Sequence, residues 1–264
     1  MIRKSGAVGC VPEGGRMADA FTERIVDRTL RFRDEIERLR FSFDGIIYDP
    51  LTYAWEPHRQ YLERYVHADV PVFMLGMNPG PFGMAQTGVP FGEIDAVRTW
   101  MGIVAPVSAP PVEHPGRPVT GFSTTRSEVS GKRLWGLMSD RFGTAADFFA
   151  SHCVMNYCPL IFLDGGKRAK NITPDKLPKD EQRAMEALCD DYLKDVLLLV
   201  SPRYLVGIGK YAQQKLQKIS EALCASGCGP YVVGSVIHPS PGNPQANNGW
   251  AEKTVERMEE LGAW

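Results

Sequence analysis

Two segments of the chain are rich in hydrogen-bonding side chains and contain no formally charged residue. Residues 76–92 read GMNPGPFGMAQTGVPFG, and residues 238–250 read HPSPGNPQANNGW. Charged residues make up 23% of the whole chain, so their absence here is a local feature. Their side chains carry amide, hydroxyl and imidazole groups, proline stiffens their backbone, and glycine lets the backbone approach a ligand closely. Such segments suit a neutral, flat, hydrogen-bonding ligand. They do not suit a site that needs a carboxylate base or a lysine nucleophile.

Asn78 and His238 are the side chains of these segments best suited to chemistry. An amide cannot act as a strong base, but it can hold a water molecule by two hydrogen bonds. An unperturbed imidazole titrates near about 6.5, so either form of His238 could donate a hydrogen bond to developing negative charge. Each residue also has a structural alternative, since asparagine often caps turns and histidine is often a satisfied core residue. From the residues alone, both interpretations stay open.

Four continuous apolar runs, separated by segments of helical periodicity, position these loops. Continuous runs are typical of strands buried on both faces of a parallel sheet. The predicted strands lie within 70–77, 152–163, 204–209 and 231–239, and the predicted helices within 22–39 (with Thr22 as N-cap), 56–67, 130–141, 179–200, 210–225 and 250–261. This alternation predicts a parallel sheet covered on both faces by helices. The two charge-free segments each follow a strand, at the edge of the sheet where ligands bind in such folds.

The length of 264 residues is compatible with one domain. We predict a single domain over residues 21–264, preceded by a disordered segment, residues 1–20, in which Met17 is an alternative start. Residues 104–120 are predicted to form a Pro-rich covering loop. The net charge is −1, so nucleic-acid binding would need a local basic patch. Neither a membrane helix nor a secretory signal is evident, and the six cysteines lack metal-ligand spacing, so we predict reduced thiols and no metal.

Both charge-free segments resemble the loops of the single-strand-selective monofunctional uracil-DNA glycosylases, which belong to the uracil-DNA glycosylase superfamily. The resemblance continues through EHPGRPV, SEVSGKRLWG, NYCPL and NITPDKLP, and it spans about residues 46–261. Two long loops that match after corresponding strands carry a much lower false-positive risk than a short motif does. The resemblance implies an α/β fold with three layers, α/β/α, around a central four-stranded parallel sheet.

The resemblance also implies catalytic roles for two residues. Asn78 corresponds to the asparagine that positions the attacking water. His238 corresponds to the histidine beside the uracil O2, which stabilises the negative charge on the leaving base. Neither loop contains a carboxylate, which fits a path in which the glycosidic bond breaks before water attacks.

Four further residues correspond to the base pocket of the family. Asn156 corresponds to the residue that binds N3 and O4 of uracil, because an amide offers an adjacent acceptor and donor that fit uracil and mismatch cytosine. Phe91 corresponds to the aromatic ring that stacks on the flipped base, with core packing as its structural alternative. Gly76 and Met77 would shape the pocket by close approach of the backbone.

The second loop corresponds to the wedge that fills the gap left by an extruded base. Its predicted members are Pro239, Ser240, Pro241, Gly242, Asn243, Pro244 and Gln245. Many relatives in the family, including those of vertebrates, carry arginine where this chain has Gly242. Glycine cannot fill that gap, which puts activity on duplex DNA in question. We also expect Lys167, Arg168 and Lys170 to contact phosphates, with a solvated loop as the alternative.

The sequence therefore predicts a monofunctional glycosylase that removes uracil, and 5-substituted forms such as 5-hydroxymethyluracil, from single- and double-stranded DNA. Neither charge-free loop contains the lysine that a Schiff-base mechanism would need. We expect no cofactor, a monomer, and a location in the cytoplasm of a bacterium or the nucleus of a eukaryote. The alternatives are a non-catalytic module that binds modified bases, a metabolic enzyme acting on a nucleoside or sugar phosphate, and a mismatch-directed uracil or thymine glycosylase. The last of these shares the superfamily but lacks the MAQTGVPFG phrase.

Overall fold

The computed structural model describes residues 20–264. The predicted disordered segment, with Met17, therefore lies outside the described residues, except for Ala20. This residue begins the first helix, α1 (Ala20–Glu37). Thr22 lies within the first turn of α1, so its prediction as the N-cap was wrong. Alanine has the highest helix propensity, which favours the earlier start.

The other elements of the described residues alternate much as predicted. The helices are α2 (Pro50–Tyr53), α3 (Trp55–Tyr65), α4 (Met84–Thr87), α5 (Val129–Phe142), α6 (Ala145–Phe149), α7 (Lys179–Val200), α8 (Lys210–Ala225) and α9 (Trp250–Glu260). The strands are β1 (Gly45–Tyr48), β2 (Val72–Gly76), β3 (His152–Asn156), β4 (Ile161–Asp164), β5 (Asn171–Ile172), β6 (Tyr204–Ile208) and β7 (Val232–Val236). Short helical turns lie at Ala96–Trp100, Gly121–Ser123, Pro174–Lys176 and Pro244–Ala246. The predicted bounds of α7 and α8 are those observed.

Four strands form the predicted central sheet, in the spatial order β3-β2-β6-β7 and with every neighbouring pair parallel. All five residues of β2 are buried, as expected for a central strand covered on both faces. In the register of the sheet, Gly76 at the end of β2 faces Asn156 at the end of β3. Because the strands are parallel, the loops that follow all four begin at the same edge of the sheet.

A second, antiparallel sheet of order β1-β4-β5 was not predicted. The sequence predicted one strand over residues 152–163, and this was wrong, since β3 ends at Asn156 and β4 begins at Ile161. Pro159 lies between them and has no N–H group with which to continue a ladder. The chain therefore leaves the central sheet after Asn156 and enters the smaller one beside it.

Helices flank the central sheet and complete the predicted α/β/α layers. Helix α1 packs on α7, where the ring of Phe32 stacks on that of Tyr192 with centroids 4.1 Å apart. The buried guanidinium of Arg28 pairs with Asp191 at 3.1 Å and with Asp195 at 2.5 Å, so its charge is compensated. No helix in residues 20–264 is both long and apolar enough to cross a membrane.

The predicted covering loop, residues 104–120, is tied to the first charge-free segment by a single side chain. Gln86 is buried in α4, and its Nε2 donates to the carbonyls of Pro81 and Pro118 at 3.1 and 3.0 Å. Its Oε1 accepts the N–H groups of Thr120 and Gly121 at 2.9 and 3.2 Å. All four hydrogen-bonding positions of this amide are filled, which holds the two loops as one unit.

His152 is buried at the start of β3 in its neutral form. The indole N–H of Trp264 donates to Nε2 of His152 at 2.7 Å, and Nδ1 lies 2.8 Å from Oγ of Ser151 and 3.1 Å from the carbonyl of Phe148. A second proton on the ring would face the indole N–H, so the contact tolerates only the neutral imidazole. Burial lowers the pKa of His152 from 6.5 to about 4.

Acidification is expected to destabilise the fold through this residue. In the unfolded chain this histidine is protonated below about pH 6.5, whereas in the folded protein it is protonated only below about pH 4. The free energy of unfolding therefore falls as the pH is lowered between these two values. The contribution to be lost between about pH 7 and about pH 4.5 is about 2–3 kcal/mol, and urea titrations would measure it. His152→Phe should show a smaller acid dependence, while His67→Phe, at an exposed histidine, should keep that of the wild type. Equal acid dependence in all three proteins would contradict the assignment.

Candidate functional site

A cavity of about 450 Å³ lies at the carboxyl edge of the central sheet. Apart from the predicted wedge, five of the predicted site residues line it together, namely Met77, Asn78, Phe91, Asn156 and His238. They come from segments that are widely separated in sequence and that lie at or beyond the ends of β2, β3 and β7. The cavity is also lined by Pro79, Gly80, Pro81, Glu128, Ser130, Asn171, Thr173, Ile208, Gly209, Lys210, Tyr211 and Ser240. Its volume lies within the range of small-molecule sites.

Asn78 stands two residues beyond the end of β2, and its amide is fixed in the cavity wall. Nδ2 of Asn78 donates to the carbonyl of Leu160 at 3.3 Å. The adjoining backbone is anchored by the N–H of Tyr157, which donates to the carbonyl of Gly76 at 2.9 Å. With its nitrogen engaged, Asn78 has its Oδ1 available to accept a hydrogen bond from a water molecule.

Gly76 allows two site side chains to lie directly over the end of β2. A Cβ at Gly76 would lie 2.3 Å from Oδ1 of Asn156 and 2.6 Å from the ring of Phe91. Phe91 itself has φ 52°, a left-handed conformation that is costly for a bulky residue. Its carbonyl accepts the indole N–H of Trp135 at 2.9 Å, and a Cβ at Gly131 would lie 2.0 Å from the same oxygen. Helix α5 thus holds the strained turn that presents the ring.

Asn156 has an amide whose hydrogen-bonding capacity is largely unused. Its Nδ2 lies 3.2 Å from Sδ of Met84, and thioether sulfur is a weak acceptor. Its Oδ1 is buried and makes no hydrogen bond to any described residue. A buried polar atom without a partner costs free energy that a ligand can recover. Asn156 is therefore suited to bind the edge of a polar, planar ligand.

His238 follows β7 and presents a neutral hydrogen-bond donor. The backbone N–H of Ser240 donates to Nδ1 of His238 at 3.2 Å, so the proton of the neutral ring is on Nε2. Burial lowers the pKa of His238 below its usual 6.5, which favours this neutral form at pH 7. The ring lies 6.2 Å from that of Phe91, between centroids. A neutral donor placed here can stabilise negative charge that develops on a bound ligand.

The predicted wedge is an ordered loop beside the cavity. Arg133 donates to the carbonyl of Pro239 at 3.0 Å and to Oδ1 of Asn247 at 3.1 Å, and Lys253 donates to the carbonyl of Gln245 at 3.3 Å. Pro239 is buried and Ser240 lines the cavity described above, whereas Asn243 and Gln245 line a neighbouring cavity of about 510 Å³. The remaining members, Pro241, Gly242 and Pro244, are exposed.

The predicted phosphate-contacting residues do not line the cavity. Lys167, Arg168 and Lys170 are exposed on the turn between β4 and β5. This turn is joined to the site through the next residue, Asn171, which does line the cavity. Nδ2 of Asn171 donates to the carbonyl of Pro79 at 3.2 Å, and its Oδ1 is buried without a hydrogen bond to any described residue. The sequence predicted only the basic residues of this turn and missed Asn171.

The sequence also missed Glu128, which brings a carboxylate to a cavity whose loops lack one. Its Oε2 accepts the N–H of Phe82 at 3.3 Å, and a Cβ at Gly80 would lie 2.5 Å from that oxygen. Burial raises the pKa of Glu128, while hydrogen bonds from the backbone of Phe82 and Ser130 oppose the shift. The interpretation of the site as free of charge holds for its two loops and not for the whole cavity. The SEVSG motif at the start of α5 is the signal that could have indicated this residue.

Curated relatives resemble this chain over most of its length. The single-strand selective monofunctional uracil DNA glycosylase of Bos taurus is 44% identical over 245 residues, which cover 92% of this chain and 88% of the relative. That of Rattus norvegicus is also 44% identical, covering 93% of this chain and 86% of the relative. That of Mus musculus is 43% identical, covering 92% and 85%.

A family model and a solved structure agree with these relatives. The crystal structure of SMUG2 from Pedobacter heparinus has a TM-score of 0.62 and 17% identity, and the match covers 91% of this chain and 99% of that one, which shows a shared fold. The model of the uracil DNA glycosylase superfamily matches residues 63–261. The chain therefore belongs to the uracil DNA glycosylase superfamily and, within it, to the family of single-strand selective monofunctional uracil DNA glycosylases.

Proposed function

We propose that this protein is a monofunctional DNA glycosylase that hydrolyses the bond between uracil and deoxyribose and leaves an abasic site. The observation that carries the proposal is the meeting of Asn78, Phe91, Asn156 and His238 in one cavity at the carboxyl edge of the sheet. The names of the relatives support uracil in DNA as the substrate. We extend the proposal to 5-substituted uracils such as 5-hydroxymethyluracil.

Uracil recognition is assigned to Asn156 and Phe91. The buried, unpartnered Oδ1 of Asn156 accepts N3–H of uracil, and the amide nitrogen, now held only by a thioether, donates to O4. Cytosine presents the opposite pattern at these positions, so both groups would be left unpaired. The ring of Phe91 stacks on the base and fixes its plane.

Bond cleavage is assigned to His238 and Asn78. The C1′–N1 bond breaks with both electrons passing to the base, and the Nε2–H of His238 stabilises the resulting anion at O2. The sugar becomes an oxocarbenium ion. A water molecule held by Oδ1 of Asn78 adds to C1′, and its proton passes through solvent to the departed uracil anion. Because the oxocarbenium ion is strongly electrophilic, no strong base is needed. The neutral form of His238 supports this division of roles. Its Nε2–H can donate to O2 of the base without the ring first taking up a second proton.

The absence of a lysine from both loops supports a reaction without a covalent intermediate. Lys210 lines the cavity from the start of α8, where it is exposed. We assign it no covalent role. The proposed partner is uracil-containing DNA, single-stranded or duplex, bound by a monomer. The proposed location is the cytoplasm of a bacterium or the nucleus of a eukaryote.

A gel assay on an end-labelled oligonucleotide with one uracil tests the proposal. The oligonucleotide is used single-stranded and paired opposite G, with EDTA throughout, and with or without hot alkali after the reaction. Strand breaks are expected only after alkali, which would establish metal-independent excision without lyase activity. Breaks without alkali would overturn the monofunctional assignment and implicate Lys210. Binding of the oligonucleotide without abasic sites would instead indicate a module that reads modified bases.

Asn78→Ala is expected to lower kcat by about 100- to 1,000-fold and to leave binding of uracil-containing DNA within about threefold of the wild type. The methyl group cannot hold the water, whereas base recognition rests on other residues. Single-turnover kinetics and fluorescence anisotropy would measure the two effects. Equal losses in rate and binding would contradict the assignment of Asn78 as the residue that positions water.

Gly242→Arg is expected to raise excision from duplex DNA by about threefold to tenfold relative to excision from single strands. A Cβ at Gly242 would meet only Oγ of Ser240, at an ordinary 3.5 Å, so a larger side chain fits the loop. Gly242→Ala is the matched control, because it fits equally well and cannot fill the gap left by the base. If both variants keep the duplex-to-single-strand ratio of the wild type, the wedge role of this loop is wrong.

A further inference from the structure

Two arginines stack on one aromatic ring at the rim of the base cavity. The guanidinium carbon of Arg117 lies 4.9 Å from the ring centroid of Phe82, and that of Arg126 lies 4.4 Å from it. Phe82 follows directly after Gly80 and Pro81, which line the cavity. The arginines belong to the covering loop and to the segment before α5, so three separate parts of the chain meet at this point.

The charges of both arginines are left available to an anion. Within residues 20–264, neither guanidinium forms an ion pair, in contrast to Arg28 and Arg59, which are each paired with carboxylates. Arg117 donates from Nη1 to the carbonyl of Gly116 at 2.9 Å, and its Nε is buried without a hydrogen bond to a described residue. The cation–π contact with Phe82 holds both guanidinium groups in place without neutralising them.

This arrangement adjoins the basic turn between β4 and β5. A Cβ at Gly116 would lie 2.7 Å from the carbonyl of Lys167, so the two segments are in contact. Lys167 and Arg168 are exposed on that turn. The Phe82 face is defined here as the surface formed by Phe82, Arg117, Arg126, Lys167 and Arg168. Phe82 joins it to the cavity through the neighbouring residues Gly80 and Pro81.

Three carboxylates on the segments that form the Phe82 face, or on segments next to them, accept backbone hydrogen bonds. Asp164 accepts the backbone N–H groups of Gly166 and Lys170 at 3.2 and 2.9 Å. Glu113 accepts the N–H of Val119 at 2.7 Å, and Glu128 accepts that of Phe82 itself. These contacts turn the negative charges toward the backbone, so the outward side of the face stays basic.

The basic residues beside the wedge serve a different purpose. Arg133 donates to the carbonyl of Pro239, and Lys253 to those of Gln245 and Asn248. These side chains hold the loop in place through hydrogen bonds to its backbone carbonyls. The two sides of the cavity thus differ: cations are hydrogen-bonded to the wedge loop on one side, and two guanidinium groups lie over the Phe82 ring on the other.

We propose that the Phe82 face binds the single-stranded DNA that flanks the target nucleotide, an inference that rests on the proposed function. Exposed guanidinium groups contact the phosphates, and the arginine planes offer surfaces on which neighbouring bases stack. Such contacts carry no sequence preference and need no second strand. They provide affinity for single strands that does not depend on the wedge, in which Gly242 has no side chain to insert.

Arg126→Gln is the main test, because Arg126 is exposed and its side chain makes no hydrogen bond or ion pair with any described residue. Arg203→Gln is the matched control, since Arg203 is also exposed and also stacks on a ring, that of Tyr204 at 5.3 Å, but at the opposite edge of the sheet. Anisotropy with a uracil-free single strand at several salt concentrations is expected to show binding weakened about threefold to tenfold by Arg126→Gln. The slope of log K against log salt should also decrease by about 0.7, the value for one lost phosphate contact.

A truncation series tests where the strand lies. Removing the nucleotides on the side of uracil that crosses the Phe82 face should raise KM about as much as Arg126→Gln does, with kcat unchanged. On that shortened substrate the variant should have no further effect. Binding and KM equal to those of the wild type for Arg126→Gln and for Arg117→Gln would overturn the inference. If the protein binds single strands through these arginines but excises no uracil, the proposed function is overturned and the inference about the Phe82 face still holds.

Discussion

The functional cavity depends on the lack of a side chain at Gly76, where β2 ends. Oδ1 of Asn156 and the ring of Phe91 both occupy the space that a Cβ would need, at 2.3 and 2.6 Å. The ring reaches this position only because Phe91 adopts a left-handed backbone, which Trp135 stabilises by a hydrogen bond and Gly131 permits by its small size. Strand β2, the loop after it and helix α5 therefore form one mutually dependent unit.

Charged side chains lie around the groups proposed to bind the base rather than among them. Asn156, Phe91 and His238 present neutral surfaces to the ligand, and burial keeps the imidazole in its neutral form. The carboxylate of Glu128 is turned toward the backbone of the first loop, where it accepts an N–H group. The guanidinium groups stacked on Phe82 lie at the rim. A neutral pocket with a basic margin suits a ligand that joins an uncharged base to a charged backbone.

The sequence allowed prediction of features that depend on local pattern. The bounds of α7 and α8 were correct because helical periodicity runs unbroken through residues 179–200 and 210–225. The antiparallel sheet was missed because its strands are only two to four residues long and one of them continues the apolar run of β3. Glu128 was missed for a different reason. It lies far in sequence from both loops, and only the packing of α5 against the first loop brings it to the cavity.

The unsatisfied amide of Asn156 has a consequence for turnover in the proposed reaction. Asn156 and Phe91 recognise the base alone, and the base is equally present in the substrate and in the released product. The contacts that select uracil therefore survive cleavage, so free uracil competes with DNA for the empty cavity. The same contacts give the buried Oδ1 of Asn156 the hydrogen bond that it lacks in the unliganded protein. Free uracil that inhibits the reaction is therefore also expected to stabilise the folded protein.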